Sequence, residues 1–130
     1  MFRQAISIAL LAGAVLAADF GQTCKNETFD STTNVLTAIC NAGDGEGTVD
    51  TTSIDLNKCF GYADGALYFA EDGNFGESCE GCSVNILPDP IYYRALGTTR
   101  PWLNCTCQGT DASINMDVTE MSNKYGTLTC

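Results

Sequence analysis

Histidine is absent from the 130-residue chain, lysine and arginine together number six, proline three and tryptophan one. The first absence removes the commonest general base and every Ser-His-Asp arrangement, and it weakens any zinc site. The scarcity of bases leaves a net charge of -10, which repels phosphate backbones and anionic lipid, so neither nucleic acid nor a membrane surface is an expected partner. Helical periodicity is weak throughout. Beyond residue 18 no run is apolar enough to span a bilayer, so membrane insertion is not expected of the remainder.

What is present begins with a leader. Arg3 precedes the apolar run AISIALLAGAVL, and Ala17 and Ala18 follow. This is the charged, apolar and small-residue order of a secretory signal peptide, assigned to residues 1–18. The product expected after cleavage, residues 19–130, is secreted and extracellular. It retains five basic residues: Lys25, Lys58, Arg94, Arg100 and Lys124.

All eight cysteines follow the leader: Cys24, Cys40, Cys59, Cys79, Cys82, Cys105, Cys107 and Cys130. An even count in a small exported chain reads as four disulfides, with the pairing left open. Zinc on Cys79-x-x-Cys82 and Cys105-x-Cys107 is the rival, and an oxidising compartment disfavours it. Asn26 and Asn104 head N-glycosylation sequons.

The chain also says much of itself twice. DFGQTC, ending at Cys24, returns as NFGESC, ending at Cys79. VLTAIC and WLNCTC both alternate polar and apolar residues into a cysteine, and SIDLN is answered by SINMD, each with the period of a half-buried strand. Each unit closes on a glycine turn, Asp64-Gly65 in one and Tyr125-Gly126 in the other. Two repeats, about 19–71 and 72–130, give an all-β reading. Two segments break the match. Residues 85–101 hold all three prolines and the triplet Tyr92-Tyr93-Arg94, and read as an excursion at a hairpin tip. Residues 41–51, NAGDGEGTVDT, form a glycine-rich acidic loop. Calcium on Asp44, Glu46 and Asp50 is conceivable, but the spacing of a calcium-binding loop is missing and a solvated loop is the better reading. Nothing else calls for a metal or a cofactor.

The doubled order FGQTC, VLTAIC, SIDLN and NFGESC, WLNCTC, SINMD resembles the cyanovirin-N homology family over nearly all of residues 19–130. The resemblance implies a fold of two pseudo-symmetric lobes, each a three-stranded sheet plus a β-hairpin, stabilised by disulfides. The repeats exchange elements, so neither lobe is built from one repeat. It implies the bridges Cys24–Cys40 and Cys79–Cys107. Cys82 and Cys105 nest inside the second, a natural pair. Cys59 and Cys130 could pair if the last strand of repeat two lies beside the third strand of repeat one. Family members bind mannose-type oligosaccharides, typically α1,2-linked, in a shallow cleft on each lobe, so the implied partner is an oligosaccharide or the glycans of a glycoprotein. The implied state is a monomer or a domain-swapped dimer, and a eukaryote-like leader with sequons suggests a fungal source.

Carried over residue by residue, the first cleft uses Asp19, Gln22, Thr23, Asn41, Gly43 and Asn123. The second uses Asn74, Glu77, Ser78, Asp64 and Gln108, chemically the fuller set. In the first, Tyr125-Gly126 stands where the family has Asp-Gly. Several of these residues have an ordinary structural reading: Thr23 and Ser78 as backbone ligands at strand ends, Asp64 as turn chemistry, and Phe20 and Phe75 as core. Trp102, Tyr92 and Tyr93 suit either packing or sugar stacking. Gln22 and Glu77 are the repeated residues least explained by folding. A carboxylate pair such as Asp64 with Glu77 is conceivable for glycoside cleavage, but no deep apolar site accompanies it and the reading is not an enzyme. The rival to a lectin is a disulfide-rich effector or cell-wall protein that kept the fold, lost sugar binding and takes a protein partner.

Overall fold

The computed structural model describes residues 19–130; the leader assigned to 1–18 lies outside the described residues. Ten strands form two three-stranded and two two-stranded antiparallel sheets. In repeat one, β1 (Cys24–Asp30), β2 (Val35–Asn41) and β3 (Val49–Asp55) make a meander, followed by the hairpin β4 (Phe60–Ala63) and β5 (Ala66–Phe69). Repeat two follows the same order. Its meander is β6 (Cys79–Pro88), β7 (Thr99–Cys107) and β8 (Thr110–Asn115), and its hairpin is β9 (Ser122–Lys124) and β10 (Thr127–Thr129).

The inward positions of the central strands are those the alternation marks. Leu36, Ala38 and Cys40 of β2 and Leu103, Cys105 and Cys107 of β7 are buried. Leu36 pairs with Ile54 as Leu103 pairs with Ile114, so the two meanders share one register. Phe20, Leu56, Phe60, Phe75, Met116 and Met121 complete a single core. Phe60 meets Phe69 edge-on at 5.8 Å.

The repeats do exchange elements. Hairpin β9–β10 packs by β10 against β3 of the first meander, and Leu128 N donates to Thr52 Oγ1 at 3.1 Å. Hairpin β4–β5 packs by β5 against β8 of the second meander. A two-stranded hairpin cannot cover its own apolar face, so each copy completes the other's core. Disulfides join Cys24–Cys40 and Cys79–Cys107 across the β1–β2 and β6–β7 pairs, with Cys82–Cys105 beside the latter. Cys59–Cys130 ties the connection before β4 to the chain's last residue. These bridges leave no thiol among the described residues for zinc.

Two local expectations need refinement. SIDLN and SINMD are strands only as far as Asp55 and Asn115, after which Leu56–Lys58 and Met116–Val118 form 3₁₀ turns. The cause is side-chain chemistry at the last strand residue. Asp55 Oδ1 accepts from Asn57 N at 2.9 Å and Asn115 Oδ1 from Asp117 N at 3.0 Å, which bends the chain out of the ladder. The proline segment is not all excursion. β6 and β7 stay paired from Asn85↔Trp102 out to Pro88↔Thr99, leaving a tip with one short helix, α1 (Tyr93–Leu96). Buried Pro101 is tolerated inside β7 because β8 pairs only from Trp102 onward, so Pro101 has a strand on one side alone.

Candidate functional site

The FGxxC repetition is first of all a folding device. Asp19 and Asn74 sit in the left-handed region, at φ 50° and 58°, where Asp and Asn are the tolerated side chains. The 3₁₀ turns Phe20–Gln22 and Phe75–Glu77 follow, with both phenylalanines fully buried. A Cβ at Gly21 would lie 2.7 Å from Pro101 Cδ and 2.8 Å from Asp117 Oδ2, and one at Gly76 would lie 2.7 Å from Asn34 Nδ2. Glycine is required at Gly21, where the Pro101 ring cannot give way, while a side chain at Gly76 would have to displace the Asn34 and Asn57 amides.

Beside the first copy lies a charged knot. Buried Asp117 accepts from Gly21 N at 2.7 Å, from Gln22 Nε2 at 2.8 Å and from Arg100 Nη1 at 3.3 Å. Arg100 also reaches Asp19 at 3.0 Å and Asp89 at 2.9 Å. Burial pushes the Asp117 carboxyl above its ordinary value against the pull of these donors. Asp89 is held below its ordinary value by Arg100 and by the amides of Tyr92 and Ile91. Gln22 therefore has a folding role: its amide nitrogen, solvent-exposed at one end, also donates to Thr99 O at 2.8 Å.

Next to this knot the exchanged hairpin β9–β10 closes a cleft against β2, with a cavity of about 670 Å³. Thr23 and Asn41, the glycines Gly43, Gly45 and Gly47, and residues 122–125 line it. Asn123 pins it. Its Nδ2 donates to Thr23 Oγ1 at 3.1 Å and to Asn41 O at 2.9 Å, and its Oδ1 accepts from Gly126 N at 2.8 Å. Thr23 in turn donates its hydroxyl to Phe20 O at 3.2 Å. The acidic loop supplies one wall. Asn41 is the last residue of β2 paired with β3, and residues 42–48 arch between Asn41 and Val49. Asp44 folds onto this loop, its carboxylate held low by Thr48 and the Glu46 amide. Of the sequence-derived first set, Thr23, Asn41, Gly43 and Asn123 share the cleft. Gln22 lines an adjoining groove of about 210 Å³ with Thr23 and Asn41, and Asp19 faces Arg100 instead.

The second set is less gathered. Asn74 Nδ2 donates to Glu77 Oε1 at 3.1 Å, and Gln108 N donates to Ser78 O at 3.0 Å. Asp64, at φ 53°, occupies the tip of its own hairpin, and none of the hydrogen bonds among the described residues joins it to the others. Two sequence differences account for this. Tyr62 stands opposite Leu67 where Asn123 stands opposite Leu128, so the pin is missing. The β7–β8 connection is the two-residue turn Gln108-Gly109 in place of an arch, so one wall is missing too. Lining residues that the sequence did not single out are Ser122, Lys124, Gly45 and Gly47. The unequal length of the two loops was the available signal. Of the two sequons, Asn26 is exposed at an irregularity in β1, while Asn104 lies in β7 and accepts from Ser113 Oγ at 2.6 Å.

Two meanders, each completed by the other repeat's hairpin, with an open polar cleft at one junction, define a tandem-repeat, element-exchanged β protein. Residues 20–129 match the CVNH domain, and the chain belongs to that family. Among solved structures it is similar to GzCVNH from Gibberella zeae, at 22% identity over 85% of this chain and 95% of that one, with a TM-score of 0.67. Microvirin in its mannobiose complex is 25% identical over 86% and 97%, with a TM-score of 0.60. A MoCVNH3 variant in complex with (N-GlcNAc)4 is 19% identical over 88% and 97%, with a TM-score of 0.62. The comparison with curated proteins finds no match.

Proposed function

We propose that the protein is an exported lectin that binds neutral oligosaccharides of mannose or N-acetylglucosamine type in the first-lobe cleft. The carrying observation is the Asn123 pin, which holds residues of both repeats around one open polar cavity. A neutral sugar offers hydroxyls that donate and accept, and Asn41, Lys124 and the glycine-loop backbone can answer both. Water competes for each such bond, so a single shallow cleft binds weakly, and avidity must come from repeated ligands or more than one copy. The four disulfides suit an oxidising compartment, and the leader supplies the route. The relatives solved with mannobiose and with (N-GlcNAc)4 support the ligand class.

The test is a glycan array with wild type, Asn123→Ala and Asn41→Ala. Wild type is expected to bind oligomannose or N-acetylglucosamine oligomers, and both variants to lose most of that signal. A wild type silent toward every neutral oligosaccharide would overturn the reading. A second reading, a protein partner, is favoured by one observation. The β6–β7 tip exposes Ile91 at 77% and Leu96 at 73%, with Tyr92 and Tyr93 half exposed beside them.

A further inference from the structure

We propose that Tyr125 determines the specificity of the first-lobe cleft. It offers a ring on which the flat face of a β-linked, all-equatorial pyranose, glucose or N-acetylglucosamine, lies. The inference rests on the lectin reading above and names the sugar class that reading leaves open.

The backbone makes Tyr125 a costly choice. It occupies the first position of the two-residue turn Tyr125-Gly126 at φ 54°, a left-handed conformation that bulky side chains avoid. The matching turn of repeat one has Asp64 at φ 53°, an ordinary residue for that conformation. Packing does not explain the tyrosine, because its side chain is 78% exposed. It stands at the cleft's edge, facing a loop whose Gly43 takes up no side-chain space: a Cβ there would come within 3.9 Å of Tyr125 Cδ1.

The polar groups around it point the same way. Both Asn123 amide protons and the Thr23 hydroxyl proton are engaged inside the protein, and the Ser122 and Thr129 hydroxyls share a bond at 2.9 Å. None of the lining residues is a carboxylate. The lining therefore offers no carboxylate to chelate vicinal hydroxyls, and its side chains present a ring, the Asn41 amide and the Lys124 ammonium instead. Glucose and N-acetylglucosamine carry every ring substituent equatorially, so axial C–H groups cover both faces and either face can lie on an aromatic ring. In mannose the axial 2-hydroxyl interrupts one face. An acetamido carbonyl adds an acceptor for Asn41 or Lys124.

The test titrates the full, disulfide-bonded protein with (N-acetylglucosamine)4, cellotetraose and α1,2-mannobiose, by calorimetry and by NMR of the tyrosine ring protons. Wild type is expected to bind at least one tetrasaccharide roughly fivefold to tenfold more tightly than mannobiose, with Tyr125 ring shifts on saturation. Tyr125→Ala should lose that margin, Tyr125→Phe should keep it, and Tyr125→Asp should move the preference toward mannobiose. Tetrasaccharide affinity unchanged in Tyr125→Ala, mannobiose preferred by wild type, or saturation without ring shifts would each overturn the platform and leave the lectin reading standing. Wild type that binds none of the three sugars, nor any glycan on the array, would overturn both.

Discussion

At one position, half-buried in repeat one and fully buried in repeat two, the repeats differ by a single functional group, and much of the local electrostatics follows from it. Asn57 Oδ1 accepts from Gly76 N at 2.9 Å; at the matching place Asp117 Oδ1 accepts from Gly21 N. The first is neutral. The second is a fully buried charge that needs Arg100, and Gln22 in place of Glu77 supplies one more donor. Removing one partner of a buried pair leaves the other charged and unpaired, so Arg100→Ala should cost about 3 kcal/mol. In an Asp117→Asn background, which restores the chemistry of repeat one, the same change should cost about 1 kcal/mol. A urea-denaturation cycle checks this, and equal costs in both backgrounds would contradict it. Asp89 gives the acid response. Its carboxyl is depressed in the folded state, so its contribution is complete above its ordinary value of 3.8 and is lost as pH falls through the depressed value. Asp117 runs the other way, since protonation relieves the cost of its burial. Asp89→Asn should therefore lower the melting temperature at pH 7, by a gap that narrows as the pH falls below 3.8. A gap that stays constant through that range would assign Asp89 another role.

Among the elements, the hairpins and the connections matter more than the sheets. Cys59–Cys130 closes the longest loop, at a separation of 71 residues, and fixes the end of the exchanged hairpin β9–β10. Cys82–Cys105 sits inside a loop that Cys79–Cys107 already closes. In the chain-entropy account Cys59→Ala with Cys130→Ala should cost about 4 kcal/mol, and Cys82→Ala with Cys105→Ala clearly less. The reverse order in equilibrium denaturation would contradict the account. The strands were legible because a half-buried strand writes its burial directly into alternate residues, as VLTAIC does. The 3₁₀ ends of β3 and β8 were not, because Asp55 and Asn115 continue the alternation while their side chains redirect the backbone. The role of Gln22 was hidden for a similar reason. Its partners Thr99 and Asp117 are brought to it only by the tertiary fold. For the cleft, Tyr62 departs from the family pattern in the sequence itself, but only the structure shows that it stands where Asn123 makes its bonds in the other repeat. Whether a polar side chain is free for a ligand depends on what it already holds, and Asn123 holds groups from distant parts of the chain.

For the whole molecule, duplication and exchange divide the labour between two similar halves. Both need the buried Phe-Gly turn, and both are clipped by a bridge between their first two strands. One junction then acquires an arched glycine loop and a pinning asparagine, and becomes a cleft. The other keeps a tight turn and a tyrosine. The net charge of -10 repels phosphate backbones, and a neutral sugar, the ligand class proposed above, is indifferent to it. The most direct check on this account is an amide NMR titration of the full protein with the best-binding glycan found on the array. The account expects shifts at Thr23, Asn41, residues 43–47 and residues 122–125, with Asn74, Glu77 and Gln108 unmoved. Shifts confined to Asn74, Glu77, Ser78 and Gln108 would contradict it.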